Sequence, residues 1–397
     1  MKKKKTNKKE EEEITKQLKE KNKTTYKLKR KRRILVIGVG YYNRSIIKYF
    51  GKKKEYEMII VNPTEKFFLK TATPYMIVNE KYDKYFTKDI KEYIKYKENS
   101  KIIRGKIENF NEEKGNITIR EEGNNETRKL KLGIDYDICT IGTGAAYEAI
   151  VDIKEANIPI GYGDRRIRPT KRYFSENIKH MTIIGGGPSG IETVAMILDE
   201  YPHINIAHIC SRETYLERLG AKEAHEPIRK RLQAHKQYKA YMKTRIEKVT
   251  GDQIEISQSH KKDNIKTDAL IFCAGYTPRT TFMPKNTKND KGQLLVNTTM
   301  QHQHIEWLFA GGDVAAFEEE KRAGQARLQG NVAAINIEKY LTHQSIQKRY
   351  RIRPAEKVAV SVLYGKTHCV GVRGGKLLAN NRLLGYIKYK LQYRLIK

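Results

Sequence analysis

The sequence predicts an α/β protein built from two doubly wound units, each a parallel sheet wrapped by helices, with a small α+β cap at the C-terminus. Three observations predict it. A short, wholly apolar run leads into a glycine-rich turn and then a helix near residue 38, and the pattern returns about 147 residues later near residue 185. Each copy is followed by a second apolar run, completing a strand–helix–strand unit. Between the copies, residues 101–132 alternate apolar and polar positions, as a β-meander does.

The elements follow in order. Residues 1–33 carry 16 Lys/Arg against 5 Glu and almost no apolar side chains. Such a segment cannot bury enough surface to offset its ordering entropy, so it is expected to be a disordered basic tail. Order begins at Ile34-Leu35-Val36-Ile37, a run apolar on both faces and therefore a buried parallel strand. Gly38-Val39-Gly40-Tyr41-Tyr42-Asn43 comes next, then a helix over residues 44–50 and a strand, Met58-Ile59-Ile60-Val61, ending at Asn62-Pro63. Turns of the meander are expected at Gly105, Gly115 and Gly123-Asn124-Asn125. Asp137-Ile138-Cys139-Thr140-Ile141 reads as a strand that ends in the small-residue turn Gly142-Thr143-Gly144. The second unit runs Met181-Thr182-Ile183-Ile184, Gly185 to Gly190, a helix over residues 191–198 and a strand over residues 204–210. Leu270-Ile271-Phe272-Cys273 enters a second small turn at Ala274-Gly275-Tyr276. Trp307-Leu308-Phe309-Ala310 enters Gly311-Gly312-Asp313, and a helix follows over residues 323–340.

A Gly-x-Gly-x-x-Gly turn between strand and helix is a dinucleotide cradle for physical reasons. The first glycine allows the tight turn, the second lets the backbone approach a pyrophosphate, and the third lets the helix pack on the strand. The helix N-terminus supplies N–H donors and a partial positive charge. Gly185, Gly187 and Gly190 fill all three places, as a Rossmann-like site requires. In the first copy Gly38 and Gly40 fit, but Asn43 holds the third place, where its side chain is expected to push the helix off the strand and weaken the cradle. The acid expected ~20–25 residues on, to bind ribose hydroxyls, is replaced by Asn62, whose amide both donates and accepts without charge. In the second copy Cys210-Ser211-Arg212 stands where an NADH-selective acid belongs. With no acid to repel a 2′-phosphate, Arg212 either pairs with one or points to water, and NADH and NADPH both stay open.

This succession of cradle, small-residue turn, second cradle, second turn and Gly-Asp resembles the FAD-dependent pyridine-nucleotide oxidoreductase superfamily. Within it, the segment from Asn62 to Pro74 and the basic tail from Ser361 resemble the apoptosis-inducing-factor-like group that includes the ferroptosis suppressor. The resemblance spans about residues 34–395. It implies a discontinuous FAD-binding domain over residues 34–150 and 279–350, an inserted NAD(P)H-binding domain over 151–278 and a C-terminal basic cap over 351–397. It places Thr143 and Gly144 at the first junction, Gly275 at the second, and Gly312 and Asp313 on the flavin ribitol. It implies FAD and NAD(P)H as cofactors, with hydride passing through the flavin to a quinone-like small-molecule acceptor. Two catalytic residues are carried over. Glu192 matches a glutamate beside nicotinamide and flavin, where a carboxylate can orient the carboxamide and relay a proton; the alternative is an ordinary first-turn helix acid. Lys388 lies near a functional C-terminal lysine of the group; the alternative is one more solvated lysine.

Composition removes several other classes. Cys139, Cys210, Cys273 and Cys369 are far apart, with no CxxC, so neither a redox dithiol nor a zinc site is expected. His302-Gln303-His304 lacks further ligands, and no metal is expected. No apolar run approaches the ~18 residues of a membrane span, and no apolar signal core follows Met1, so the expected place is the cytoplasm. The net charge of +33 is concentrated at the ends, +11 in residues 1–33 and +10 in residues 351–397. That distribution suits an anionic partner. Nucleic acid is the rival reading, with a degenerate flavoprotein fold that binds DNA, and an acidic ferredoxin or rubredoxin is a second. An acidic membrane surface is a third. In residues 386–397, Ile387, Leu391 and Leu395 recur every four positions and make one stripe among Lys388, Lys390, Arg394 and Lys397. The alternative is that this stripe packs on the protein's own FAD-binding part.

Overall fold

The computed structural model describes residues 30–123, 126–147, 151–154, 158, 160–162, 174, 177–259 and 261–396. Most of the basic tail, and with it the expectation of disorder, lies outside the described residues. Its last residues are ordered: the first strand is Arg32–Ile37, and Arg30 bridges to Asp137 at 2.8 Å. Order therefore starts two residues earlier than the apolar run suggests.

The first sheet has seven strands. In spatial order they are Leu308–Ala310, Ile138–Ile141, Arg32–Ile37, Tyr56–Asn62, Ser100–Asn111, Asn116–Glu121 and Thr127–Lys131. The first five run parallel, with Ile34 set beside both Met58 and Ile138. The last two turn back antiparallel as the expected meander. Leu35 and Val36 point to opposite faces and are both fully buried, which is why the strand reads as an unbroken apolar run. Gly115 makes its turn at φ +61. Gly105 does not: it lies inside Ser100–Asn111, where a β-carbon would come within 2.6 Å of Arg120 O. This glycine admits a neighbouring strand and is not a turn.

Helices Tyr41–Phe50 and Ala323–Leu341 cover one face of this sheet and pack directly on each other. Gly330 permits that approach, since a β-carbon there would lie 2.2 Å from Tyr42 O. The second parallel sheet has five strands: Ile160–Tyr162, Ala269–Phe272, His180–Ile184, Asn205–Ile209 and Tyr238–Tyr241. Helices Pro188–Glu200 and His225–Gln233 accompany it. A smaller sheet of Asp152–Lys154, Thr244–Thr250, Gln253–Gln258 and Lys261–Lys266 lies beside it in sequence. The cap is an antiparallel sheet of Val360–Leu363, Cys369–Arg373 and Lys376–Asn381 followed by the helix Arg382–Ile396. That helix starts four residues before the expected stripe because the Asn381 side chain accepts from Leu384 N (2.8 Å), satisfying one of the N–H groups that an uncapped start leaves open. No helix among the described residues is long and apolar enough to cross a membrane.

Candidate active site

The two glycine turns are built alike and closed differently. Gly38 sits at φ +84, and a β-carbon on it would come within 2.8 Å of Gly142 O, so the first turn presses on the small-residue turn at 142–144. Gly185 does the same against Cys273 O, at φ +125 and 2.9 Å. In the second turn a β-carbon on Gly190 would stand 1.8 Å from Gly185 O, so only glycine fits. Asn43, in the equivalent place, is no misfit. It is fully buried, and its Nδ2 donates to Ile37 O (2.8 Å) and Gly38 O (2.7 Å) while its Oδ1 accepts from Thr140 Oγ1 (3.0 Å). The amide staples helix, turn and neighbouring strand together. Gly40 and Gly187 each precede the first residue of a helix, with no side chain capping the exposed N–H groups. In front of Gly187 a β-carbon would meet nothing within 4 Å, so the mouth of this turn is open to a phosphate. Asn62 is less available than its amide suggests. Nδ2 is spent on Thr64 O (2.8 Å), which leaves Oδ1 as the group for a ribose hydroxyl.

The two small-residue turns meet. Ala145 pairs with Pro278 and Ala146 with Thr277 in a two-residue antiparallel ladder, and Thr143 Oγ1 donates to Arg279 O at 2.7 Å. Gly144 and Gly275 take positive φ beside this ladder, +68 and +75. A β-carbon on Gly144 would lie 3.7 Å from Asp313 Oδ2 and 3.8 Å from Lys70 Nζ, so the Gly-Asp turn and the first junction face one another. Gly312, at φ +75, donates its N–H to Gln329 Oε1 (2.6 Å), and Gln329 Nε2 donates to Glu319 Oε1 (2.6 Å). Tyr350 closes the chain by donating to Glu319 Oε2 at 2.8 Å. Sequence reasoning missed Gln329, Glu319 and Tyr350, since no motif marks a glutamine that holds a distant glycine. The glycines and open helix starts fit a dinucleotide at each turn, and half-buried Asp313 fits a polyol acceptor.

The two catalytic candidates come together. Glu192, on Pro188–Glu200, and Lys388, on Arg382–Ile396, form an ion pair with side chains only 8% and 12% exposed. Glu192 Oε1 also accepts from Leu363 N (3.0 Å), and Lys388 Nζ donates to Ser361 O (2.7 Å). Lys388 is therefore not a solvated lysine, and Glu192 lies beyond the first turn of its helix. Beside them, the buried Tyr75 hydroxyl makes no hydrogen bond; burial and the neighbouring Glu192 charge push its pKa up. The helix is held on this side by Tyr389, edge-on to Tyr75 and Phe86, and by Gln392 Nε2 donating to Thr71 O at 2.6 Å. Its other side is bare: Leu383 is 67% exposed, Tyr386 58%, Ile387 42% and Leu391 53%, with Arg382, Lys390 and Arg394 exposed among them. Ile387 and Leu391 therefore lie at the surface; the side chain of Leu395 lies outside the described residues.

Arg212 is exposed, with Nη1 3.7 Å from Glu217 Oε1. Glu217 returns to the same loop through a short 3-10 turn and accepts from Glu213 N and Thr214 N. Glu217 thus brings beside Arg212 an acid that the strand end itself does not supply. His302 is buried and donates to Thr287 O (3.1 Å), and no group of metal-ligating side chains occurs among the described residues. All four cysteines are free and buried, and burial pushes the Cys210 and Cys273 thiols up to about 12 and Cys369 to about 11.

A family model described as pyridine nucleotide-disulphide oxidoreductase matches residues 32–335. The chain belongs to that family. The oxidoreductase is 24% identical over 338 residues to apoptosis-inducing factor homolog B of Dictyostelium discoideum, covering 78% of this chain and 81% of that one. Its fold is that of NDH2 from Plasmodium falciparum in complex with NADH, with a TM-score of 0.78 at 14% identity over 93% of this chain and 95% of the other. It also superposes on the sulfide:quinone oxidoreductase of Aquifex aeolicus with a TM-score of 0.72 at 12% identity, over 91% and 90% of the two chains. The cofactors of this oxidoreductase are FAD and NAD(P)H. The disulphide in the family's description has no dithiol to match it here.

Proposed function

We propose that this oxidoreductase takes hydride from NAD(P)H and delivers its two electrons to a quinone-like acceptor, and that the buried Glu192–Lys388 pair carries this reading. Reducing a quinone to a quinol takes two electrons and two protons, and a hydride accounts for both electrons but one proton. A buried ammonium on a carboxylate is a place to hold the second. The lack of a dithiol supports an acceptor other than a disulfide, and a fold shared with a protein described as a sulfide:quinone oxidoreductase agrees with it. When bound, FAD carries the two electrons between coenzyme and acceptor. The chain's own residues bind and orient: the turn at Gly185–Gly190 takes the coenzyme pyrophosphate, Asp313 takes polyol hydroxyls, and Glu192 sets the carboxamide and the proton. With NAD(P)H as donor, turnover is expected with menadione and with a short-chain ubiquinone. Faster reduction of a ferredoxin or rubredoxin than of either quinone overturns the reading.

Asp313→Ala is expected to lower flavin retention, because a charge-assisted hydrogen bond worth ~1.5–3 kcal/mol is lost. The ratio of flavin to protein absorbance after long dialysis reads it. An unchanged ratio removes Asp313 from the flavin site.

The bare face of the helix Arg382–Ile396 suggests where a lipophilic acceptor is met. We propose that Leu383, Tyr386, Ile387 and Leu391 dip into an acidic bilayer surface while Arg382, Lys390 and Arg394 pair with headgroups, each basic residue adding ~1 kcal/mol. Binding is then reversible and weakened by salt. Sedimentation with phosphatidylserine vesicles at low salt should carry down the wild type. It should leave a Leu383→Ser/Ile387→Ser/Leu391→Ser variant in solution; equal sedimentation of the two refutes the docking.

A further inference from the structure

The strand Asn205–Ile209 carries one histidine, His208, wholly buried beneath the coenzyme turn. Its Nε2 lies 2.9 Å from Gly185 O and its Nδ1 lies 2.9 Å from the Tyr238 hydroxyl, which is 2.6 Å from the Tyr215 hydroxyl. Chemistry fixes the proton directions. A carbonyl only accepts, so Nε2 carries the hydrogen. Burial depresses the imidazole to about 4, so the ring is neutral near pH 7 and Nδ1 accepts from Tyr238 O–H. The Tyr215 hydroxyl then donates to the Tyr238 oxygen. The His208 and Tyr215 rings also stack, 5.7 Å between centroids and 10° apart.

This chain joins two loops that both belong to the coenzyme. One end is the first glycine of the turn. The other is Tyr215, three residues beyond Arg212, in a loop whose Leu216 N–H donates to Gly186 O at 3.0 Å and whose Tyr215 N–H donates to His225 Nδ1 at 3.0 Å. A trans peptide is planar, so the carbonyl of Gly185 and the N–H of Gly186 point in opposite directions. With the carbonyl drawn inward to His208, the Gly186 N–H is turned away from the core.

We propose that His208 is a positioning residue for the coenzyme pyrophosphate: its Nε2–H holds the Gly185–Gly186 peptide with the N–H outward, and Tyr238 and Tyr215 tie that peptide to the loop bearing Arg212. The proposal rests on residues 185–190 being the coenzyme turn, and its test separates the two. In the FAD-loaded protein, NADH and NADPH are titrated by flavin or coenzyme fluorescence at a temperature well below unfolding. His208→Phe keeps the ring and its stack but loses both hydrogen bonds. It is expected to weaken the better-bound coenzyme about tenfold, with kcat at saturating coenzyme and flavin content near wild type. His208→Gln, which keeps an N–H donor, should recover part of the loss. Gly187→Val is the control for the site. Wild-type affinity in His208→Phe alongside lost affinity in Gly187→Val overturns the role of His208 alone; wild-type affinity in both overturns the site. Loss of flavin together with coenzyme in His208→Phe, unrelieved in His208→Gln, also overturns it, since a collapsed unit explains both. Should His208→Phe not fold, Tyr238→Phe carries the test by removing the hydroxyl that joins His208 to Tyr215, and unchanged affinity there overturns the proposal.

Discussion

Gly187→Val is expected to give a folded, FAD-loaded protein that binds NAD(P)H on the order of 100-fold more weakly than wild type, or worse. Gly187 caps the helix Pro188–Glu200 with φ −84 and ψ 179, extended backbone that any residue adopts. A β-carbon there meets nothing within 4 Å, so the protein itself does not resist the substitution. The open space is what a pyrophosphate needs to reach the first N–H groups of the helix, and a branched side chain fills it. Gly190 makes the contrast. A β-carbon on it would stand 1.8 Å from Gly185 O, so any change there damages fold and binding together. Coenzyme titration, flavin absorbance and thermal melting on one preparation measure the effect. Loss of flavin with retained coenzyme affinity means that the two turns have been assigned in reverse.

Lys388→Met is expected to destabilise the protein by about 3–5 kcal/mol, the cost of leaving one member of a buried ion pair without its partner. Methionine keeps the length of the side chain and removes the charge, so the Glu192 carboxylate is left with the Leu363 N–H. Glu192→Gln/Lys388→Met removes both charges and should recover most of the stability. It should not recover quinone turnover, because no group then holds the proton. Ferricyanide takes electrons without protons, so the double variant should retain ferricyanide reduction and lose quinone reduction. Parallel loss of both activities reduces the pair to a brace between the helix and the cap.

Much of this was legible because burial on both faces leaves unbroken apolar runs, and the parallel strands announced themselves that way. The glycine turns were equally plain, each glycine answering a steric demand. Helix starts were less so. Gly40 caps Tyr41–Phe50 without a side-chain bond, and the helix begins three residues before the sequence suggested. Pro188 opens Pro188–Glu200 at a position where a proline costs nothing, so the helix starts three residues before Ile191. Gly105 looks like a turn glycine in sequence because the approach of Arg120 is a tertiary fact. The bonds of Asn43 are hidden for the same reason: its acceptors are at hand in sequence, but its donor, Thr140, is 97 residues away. Glu192 and Lys388 were each legible by resemblance, and their contact across 196 residues was not. Glu217 escaped because it reaches Arg212 only after the chain turns back on itself.

The ladder of Ala145-Ala146 against Thr277-Pro278 has a mechanical consequence. The chain passes from the seven-stranded sheet to the five-stranded sheet after Ile141 and returns after Phe272, and these two passages lie side by side, like the leaves of one hinge. Two adjacent extended cords bend together easily about their common line but resist shear and twist, because either motion would break the bonds between them. The cap fastens the same seam again: Lys388 holds Glu192 of Pro188–Glu200, and Gln392 on the same helix donates to Thr71 O. Tyr201 adds a third tie by donating to Val78 O at 2.9 Å. The two crossings are thus one stitch in a seam that the cap and the helix Pro188–Glu200 also sew.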